Sequence, residues 1–460
     1  MSEAADVEPI VDECFDHVAP ALWNRSDWAV CVGILAASLI LVALHVSSYT
    51  TLSPIDELQH IDYVIKAGEF DIPVRNERVG QAALSEAACR GVDAPLYVGP
   101  PCGLESYDPN DFQENGFNTA AGQFPPYYIT TGIAARALTA TGVVGSKVTA
   151  ARMLGALWLA GALSVTWYLM ACLDLRRRNR APIIVLLLAT PLIIFHSGAT
   201  VNADVSLMLT GAVVGLATVT YEAGRLRSWW LPLIYVSVLF VEATNILAVA
   251  ACGLYLIARR LPDTSLPMSQ RFGPLALLPA LMFFRLEVSG RIHAALFPPA
   301  AVEQASDRLS SAPMFTVNRA DGVSFDKVIG QLSATFTPVH NPYVSPPLRS
   351  PWTLAGMELT NWLLIALMFA TAVLLVGASR ITWFARITVV MLLAAGPFYT
   401  LYFAVNSNQD FPAPARFALP LVPFLAVAAV GAIRQRATLT VVWVVAAFTS
   451  LNTVVHLLTA

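Results

Sequence analysis

Charged side chains are scarce in this chain: Asp, Glu, Lys and Arg make up 13% of its 460 residues, against 56% hydrophobic residues. Soluble domains carry about 25% charged residues, so an ordinary soluble globular protein is excluded. The mean hydropathy of +0.61 agrees. The net charge of −3 says nothing about nucleic acid, but basic tracts with interleaved aromatics are missing, so nucleic acid is not an expected partner. Residues 1–27 are polar and acidic, with no positive segment leading into a small-residue cleavage site. Trp28–Val46 therefore reads as a retained first span, and 1–27 as a cytoplasmic tail.

Apolar runs of roughly twenty residues, the length that crosses a bilayer core, are what the chain has in plenty. They predict an all-α polytopic membrane protein with about eleven transmembrane helices, at 28–48, 148–173, 181–199, 203–222, 229–241, 243–258, 272–287, 352–378, 384–405, 417–433 and 439–459. Basic residues orient them, because short cytoplasmic loops carry the Arg and Lys excess. With the N-terminus inside, Arg176–Arg180, Arg225 with Arg227, Arg259-Arg260, Arg380 with Arg386, and Arg434 with Arg436 all fall on the cytoplasmic side. That agreement requires 124–142 not to cross. Its Arg136 and its Thr and Gly residues suit an interfacial helix with tyrosine at headgroup depth.

The same orientation puts loops 49–147 and 288–351 outside, both attached to a membrane domain spanning 28–460. Loops this long in a compact protein are usually functional. Cys89 and Cys102 are the cysteines in these loops. Outside the reducing cytosol they can form a disulfide stapling the first loop, or remain two free thiols. Segment 229–258 is too short for two full spans and reads as a helical hairpin turning at Val241–Asn245. Such a turn lies within the membrane, buried in protein or lining a cavity. Glu242 there is either a functional carboxylate or a protonated, hydrogen-bonded structural one.

Three polar clusters fall on the expected outer side. Asp56-Glu57 follows Pro54 at a helix start, with His60 one turn on, on the face of Asp56. A carboxylate beside an imidazole can activate a hydroxyl or hold a metal; the plainer account is a helix N-cap. Asn202 and Asp204 join two spans, where a tight capped turn accounts for them without any function. Arg416 opens a late span outside, against the bias of basic residues. It suits a phosphate through two-pronged, charge-assisted bonds, or snorkels to headgroups.

Four motifs, Pro54–His60, Pro125-Pro126-Tyr127-Tyr128, Ser197–Asp204 and Arg416–Pro423, together resemble the GT-C superfamily of polytopic membrane glycosyltransferases, most of all an uncharacterised bacterial branch. The likeness spreads over most of 28–423. It implies an inverting transferase at the exterior face of a bacterial plasma membrane. Such an enzyme moves a sugar from a polyprenyl-phosphate donor to a glycan or lipid acceptor of the cell envelope. On that likeness Asp56 is the general base, with Glu57 beside it as a second catalytic carboxylate. Arg416 meets the donor phosphate, and His60, Tyr127, Tyr128, Asn202, Asp204 and Glu242 contribute to substrate binding. Glu57 and His60 could instead ligate a divalent ion, since some relatives use metal. Abundant Ala, Val and Arg with little Lys fits a GC-rich genome, where arabinose or mannose would be natural donor sugars. A transporter or flippase of lipid-linked sugars is the alternative. It expects matched interrupted helices in two halves, and the sequence offers one hairpin without a counterpart.

Overall fold

The computed structural model describes residues 25–94, 97–298, 318–319, 324–339, 345–375, 377, 379–407, 409–410 and 413–460. Most of the tail 1–27 and much of loop 288–351 lie outside these residues. The described elements are helical apart from one two-residue antiparallel pairing, Asn318–Arg319 with Gln409–Asp410.

The chain opens with α1 (Arg25–Ser48), then α2 (Glu57–Ala67), α3 (Gln81–Arg90) and α4 (Pro126–Ala140) in the first long loop. Next come α5 (Lys147–Cys172), α6 (Arg177–Ala189), α7 (Pro191–Ile194) and α8 (Leu207–Glu222). A short pair, α9 (Trp230–Val241) and α10 (Ile246–Arg260), precedes α11 (Met268–Phe283), α12 (Ser289–Leu296) and α13 (Phe325–Gly330). The last four are α14 (Pro351–Phe369), α15 (Arg380–Ser407), α16 (Val422–Ala432) and α17 (Arg436–Thr459).

Among the described residues, seven helical segments are long and apolar enough to cross a membrane, and eight if the pair Arg177–Ala189 and Pro191–Ala199, bent by 64°, counts as one span. This multi-pass character agrees with the sequence; the eleven expected spans do not all meet that standard. Segments 229–241, 243–258 and 272–287 do form helices, but α9, α10 and α11 are only 12, 15 and 16 residues long. Pro274 and Pro279 lie inside α11, where each removes a ladder hydrogen bond.

Helix α5 is central, packed against α1, α4 and α8. Its start is capped by Ser146, whose Oγ accepts the Val148 N–H at 3.1 Å. Close approach is bought with glycine at one crossing: a Cβ on Gly155 would stand 1.8 Å from the Gly198 carbonyl oxygen.

The first loop builds its own small core from α2, α3 and α4, seated on the start of α5 and on Val201–Val205. Leu58, Ile61, Leu84, Phe112 and Tyr128 fill it. A disulfide between Cys89 and Cys102 closes it, as the paired-thiol expectation required. Helix α4 is buried along Tyr127, Tyr128, Thr131 and Ala135. Tyr127 and Tyr128 are 2% and 0% exposed, packed into this core and not presented on the helix surface. The aromatic content of this loop serves an internal core.

Candidate functional site

Asp56 occupies the position before α2, where an aspartate would ordinarily cap the helix. It does not cap: its side chain makes no bond to the helix amides, and its backbone is left-handed, with φ 55° and ψ 9°. That conformation is rare for residues with a side chain, although Asp tolerates it better than most, and it costs on the order of 1 kcal/mol. Half of the Asp56 side chain is exposed. Enough protein surrounds it that lost hydration raises its pKa above the usual carboxylate value, with Arg416 pulling it back. Its open half tempers that rise.

Glu57, expected as a second catalytic carboxylate, is enclosed. Arg152 grips both of its oxygens, Nε to Oε1 at 2.8 Å and Nη2 to Oε2 at 2.7 Å, and neither side chain has exposed surface. The Ser53 N–H donates to Oε2 at 2.7 Å and the Val201 N–H to Oε1 at 3.0 Å. Arg152 also donates to the carbonyls of Tyr49 and Thr51, both at 2.7 Å. Glu57 therefore ties the 49–57 segment to α5 and to the 200–204 turn. It is a positioning residue beside Asp56, with no face left for a substrate.

His60 is buried as well and does not pair with Asp56. Its Nδ1 lies 2.7 Å from the Tyr128 hydroxyl, and that hydroxyl donates to Gln123 Oε1. The Tyr128 ring stacks on Tyr63 with centroids 3.7 Å apart and lies nearly parallel to the His60 ring at 5.8 Å. Burial first, and then Arg416, lowers the His60 pKa to about 3, so the imidazole is neutral at physiological pH. Tyr127 hydrogen-bonds the Asn202 backbone. His60, Tyr127 and Tyr128, expected to bind substrate, thus form the packed floor of the lobe.

In the Ser197–Asp204 motif the two polar residues divide their tasks. Asn202 holds the turn, its Oδ1 accepting the Asp204 N–H at 2.9 Å. Asp204 points to Arg416, whose Nε donates to Oδ2 at 3.0 Å. Arg416 Nη2 stands 4.0 Å from Asp56 Oδ2. Asp56, Asp204 and Arg416, from three distant segments, thus share one spot, with Arg416 13% exposed and Asp204 10%. Glu242 is not part of this contact. It is buried at the hairpin turn, where Oε1 accepts the Ala243 N–H at 2.8 Å, and it lines a neighbouring cavity.

The guanidinium between the carboxylates stands where a divalent ion would need to bridge them. Glu57 and His60, the other suggested ligands, are turned to Arg152 and Tyr128. No group of three or more His, Cys, Asp or Glu with metal-binding placement occurs among the described residues. This residue set does not fit a metal.

Arg152 is the residue that sequence reasoning missed. Its one signal was an arginine one turn into an apolar span. No protein-family model, curated protein or solved structure matches the chain.

Proposed function

We propose that the chain is an inverting glycosyltransferase that uses a polyprenyl-phosphate sugar at the exterior face of a bacterial plasma membrane. The observation that carries this reading is the convergence of Asp56, Asp204 and Arg416. Asp56 is held out of its capping role, half open and close to a cation. Such a carboxylate can accept the proton of an acceptor hydroxyl as that oxygen attacks the anomeric carbon. The bond from that carbon to the phosphate oxygen breaks, and the negative charge on the leaving phosphate falls to Arg416. Asp204 fixes the guanidinium so that its remaining N–H groups are aimed before the donor arrives. The apolar helices around the site suit a donor whose polyprenyl tail stays in lipid. The acceptor is a glycan or lipid of the envelope. The test is transfer by purified protein in nanodiscs, offered defined polyprenyl-phosphate sugars, arabinose and mannose first, with envelope lipid extract as acceptor. Transfer by the parent chain and none by Asp56→Asn supports the reading; movement of intact donor between leaflets without transfer supports a flippase.

A further inference from the structure

A second polar site lies beside the first. A cavity of about 150 Å³ is walled by Arg75 of the first loop, Glu242 and Ala243 of the hairpin turn, Arg285 and His293, with Phe124 and Tyr402 as aromatic walls. A cavity of this size holds one six-membered ring. Glu242 Oε2, Arg285 Nε and His293 Nδ1 are buried with no hydrogen-bond partner among the described residues. Glu242 is 7% exposed and His293 1%. Leaving such groups unpaired costs roughly 1–3 kcal/mol each, so they point to a polar occupant.

The chemistry of that occupant can be read from the lining. His293 Nε2 lies 3.2 Å from the Gln123 carbonyl, which only accepts, so Nε2 carries the proton. Burial lowers the pKa of the ring, with the Gln123 bond opposing and Arg75 adding to the fall, and in the neutral ring Nδ1 is an acceptor. His293 Nδ1 and Glu242 Oε2 thus call for hydroxyl donors. Arg285 and exposed Arg75, set against the single Glu242 carboxylate, leave the lining with an excess of positive charge, which calls for an anion. Phe124 and Tyr402 offer apolar faces of the kind that pack on ring C–H groups. Gln123 ties the cavity to the first-loop lobe: its carbonyl meets His293 while its side chain accepts from Tyr128.

We infer that this cavity binds one monosaccharide ring bearing an acidic group, carboxylate or phosphate. Its use as a subsite for transfer rests on the proposed function; the binding itself does not. Calorimetry on the full chain in nanodiscs tests it, with D-glucuronate, D-glucose 6-phosphate, D-glucose and inorganic phosphate as probes. At least one acidic sugar should bind, with glucose and inorganic phosphate each at least tenfold weaker; whichever acidic sugar binds names the acid. Arg75→Ala, at the exposed mouth, and His293→Phe, which keeps a ring but removes the Nδ1 acceptor, should each weaken binding at least tenfold, and Asp56→Asn should leave it unchanged. Three results overturn the inference: no saturable binding of either acidic sugar, glucose or inorganic phosphate matching them, or affinity indifferent to both cavity variants. Loss of transfer with retained acidic-sugar binding would defeat the transferase reading alone.

Discussion

Arg416 donates from Nε to Asp204 at 3.0 Å while its Nη2 stands 4.0 Å from Asp56. The two carboxylates are thereby made unequal. Asp204 is bonded to the cation and mostly covered; Asp56 is near it and open on one side. An anchored carboxylate orients, whereas an open one can exchange a proton.

Asp56→Asn should abolish transfer and leave the fold and donor binding nearly intact. Asn shares the shape of Asp and tolerates the left-handed backbone that position 56 adopts. It cannot take up a proton, and loss of a general base costs about a hundred- to ten-thousandfold in rate. Near-normal turnover in single-turnover assays would take Asp56 out of the chemistry and direct attention to Asp204.

The rate should fall as pH drops through the pKa of Asp56, since only its ionised form is a base. Burial raises that pKa and Arg416 opposes the rise, so the acid limb should lie above the usual carboxylate range. Removing the cation in Arg416→Ala takes away the opposing effect and should move the limb to still higher pH. Arg416→Lys keeps the charge and should move it less. Profiles of residual kcat/KM for the three proteins decide this; coincident limbs would mean another group controls the rate.

Asp56, Asp204 and Arg416 were legible because each sits where charge is expensive or against the usual sidedness of basic residues. Their convergence is a packing fact that no short motif contains. Glu57 reads like Asp56 in sequence, being its neighbour and the same type of group. Arg152, 95 positions later, with the Ser53 and Val201 amides, separates their fates. Tyr127 and Tyr128 were ambiguous for a different reason: tyrosine suits both a headgroup boundary and a small protein core, and composition does not say which. The hairpin turn at Glu242 was readable from length alone, because thirty apolar residues between basic clusters cannot form two full spans.

Glu57→Gln should destabilise the protein rather than slow its chemistry. Removing one partner of a fully buried ion pair leaves the other uncompensated, at roughly 3–5 kcal/mol. Thermal unfolding in detergent should therefore drop for Glu57→Gln and for Arg152→Ala. The double variant Glu57→Gln/Arg152→Met, which buries no lone charge, should recover part of the loss. Activity per folded molecule should follow that recovery; a stable but inactive double variant would return Glu57 to the chemistry.

The first-loop lobe should be outside and the N-terminus inside, from the agreement of five basic clusters. Glu105 is exposed in the lobe, so a cysteine placed there is reachable. A membrane-impermeant thiol reagent added to intact cells should label Glu105→Cys. Labelling only after the cytoplasmic face is opened would reverse the orientation and remove the exterior site.

Arg416 should govern donor affinity through its geometry as well as its charge. One of its edges is committed to Asp204, so the rest of the guanidinium is held at a fixed angle. Arg416→Lys keeps a positive charge but loses the planar fork and should weaken donor binding in part. Arg416→Ala removes a charge-assisted contact worth roughly 1.5–3 kcal/mol, or ten- to over a hundredfold in affinity. Asp204→Asn leaves the cation in place with a weaker anchor, so its affinity should fall between parent and Arg416→Ala. A headgroup anchor predicts otherwise: membrane insertion would change and donor affinity would not. Calorimetry with a polyprenyl-phosphate sugar separates the two, and an unchanged Kd for Arg416→Ala would remove Arg416 from the donor site.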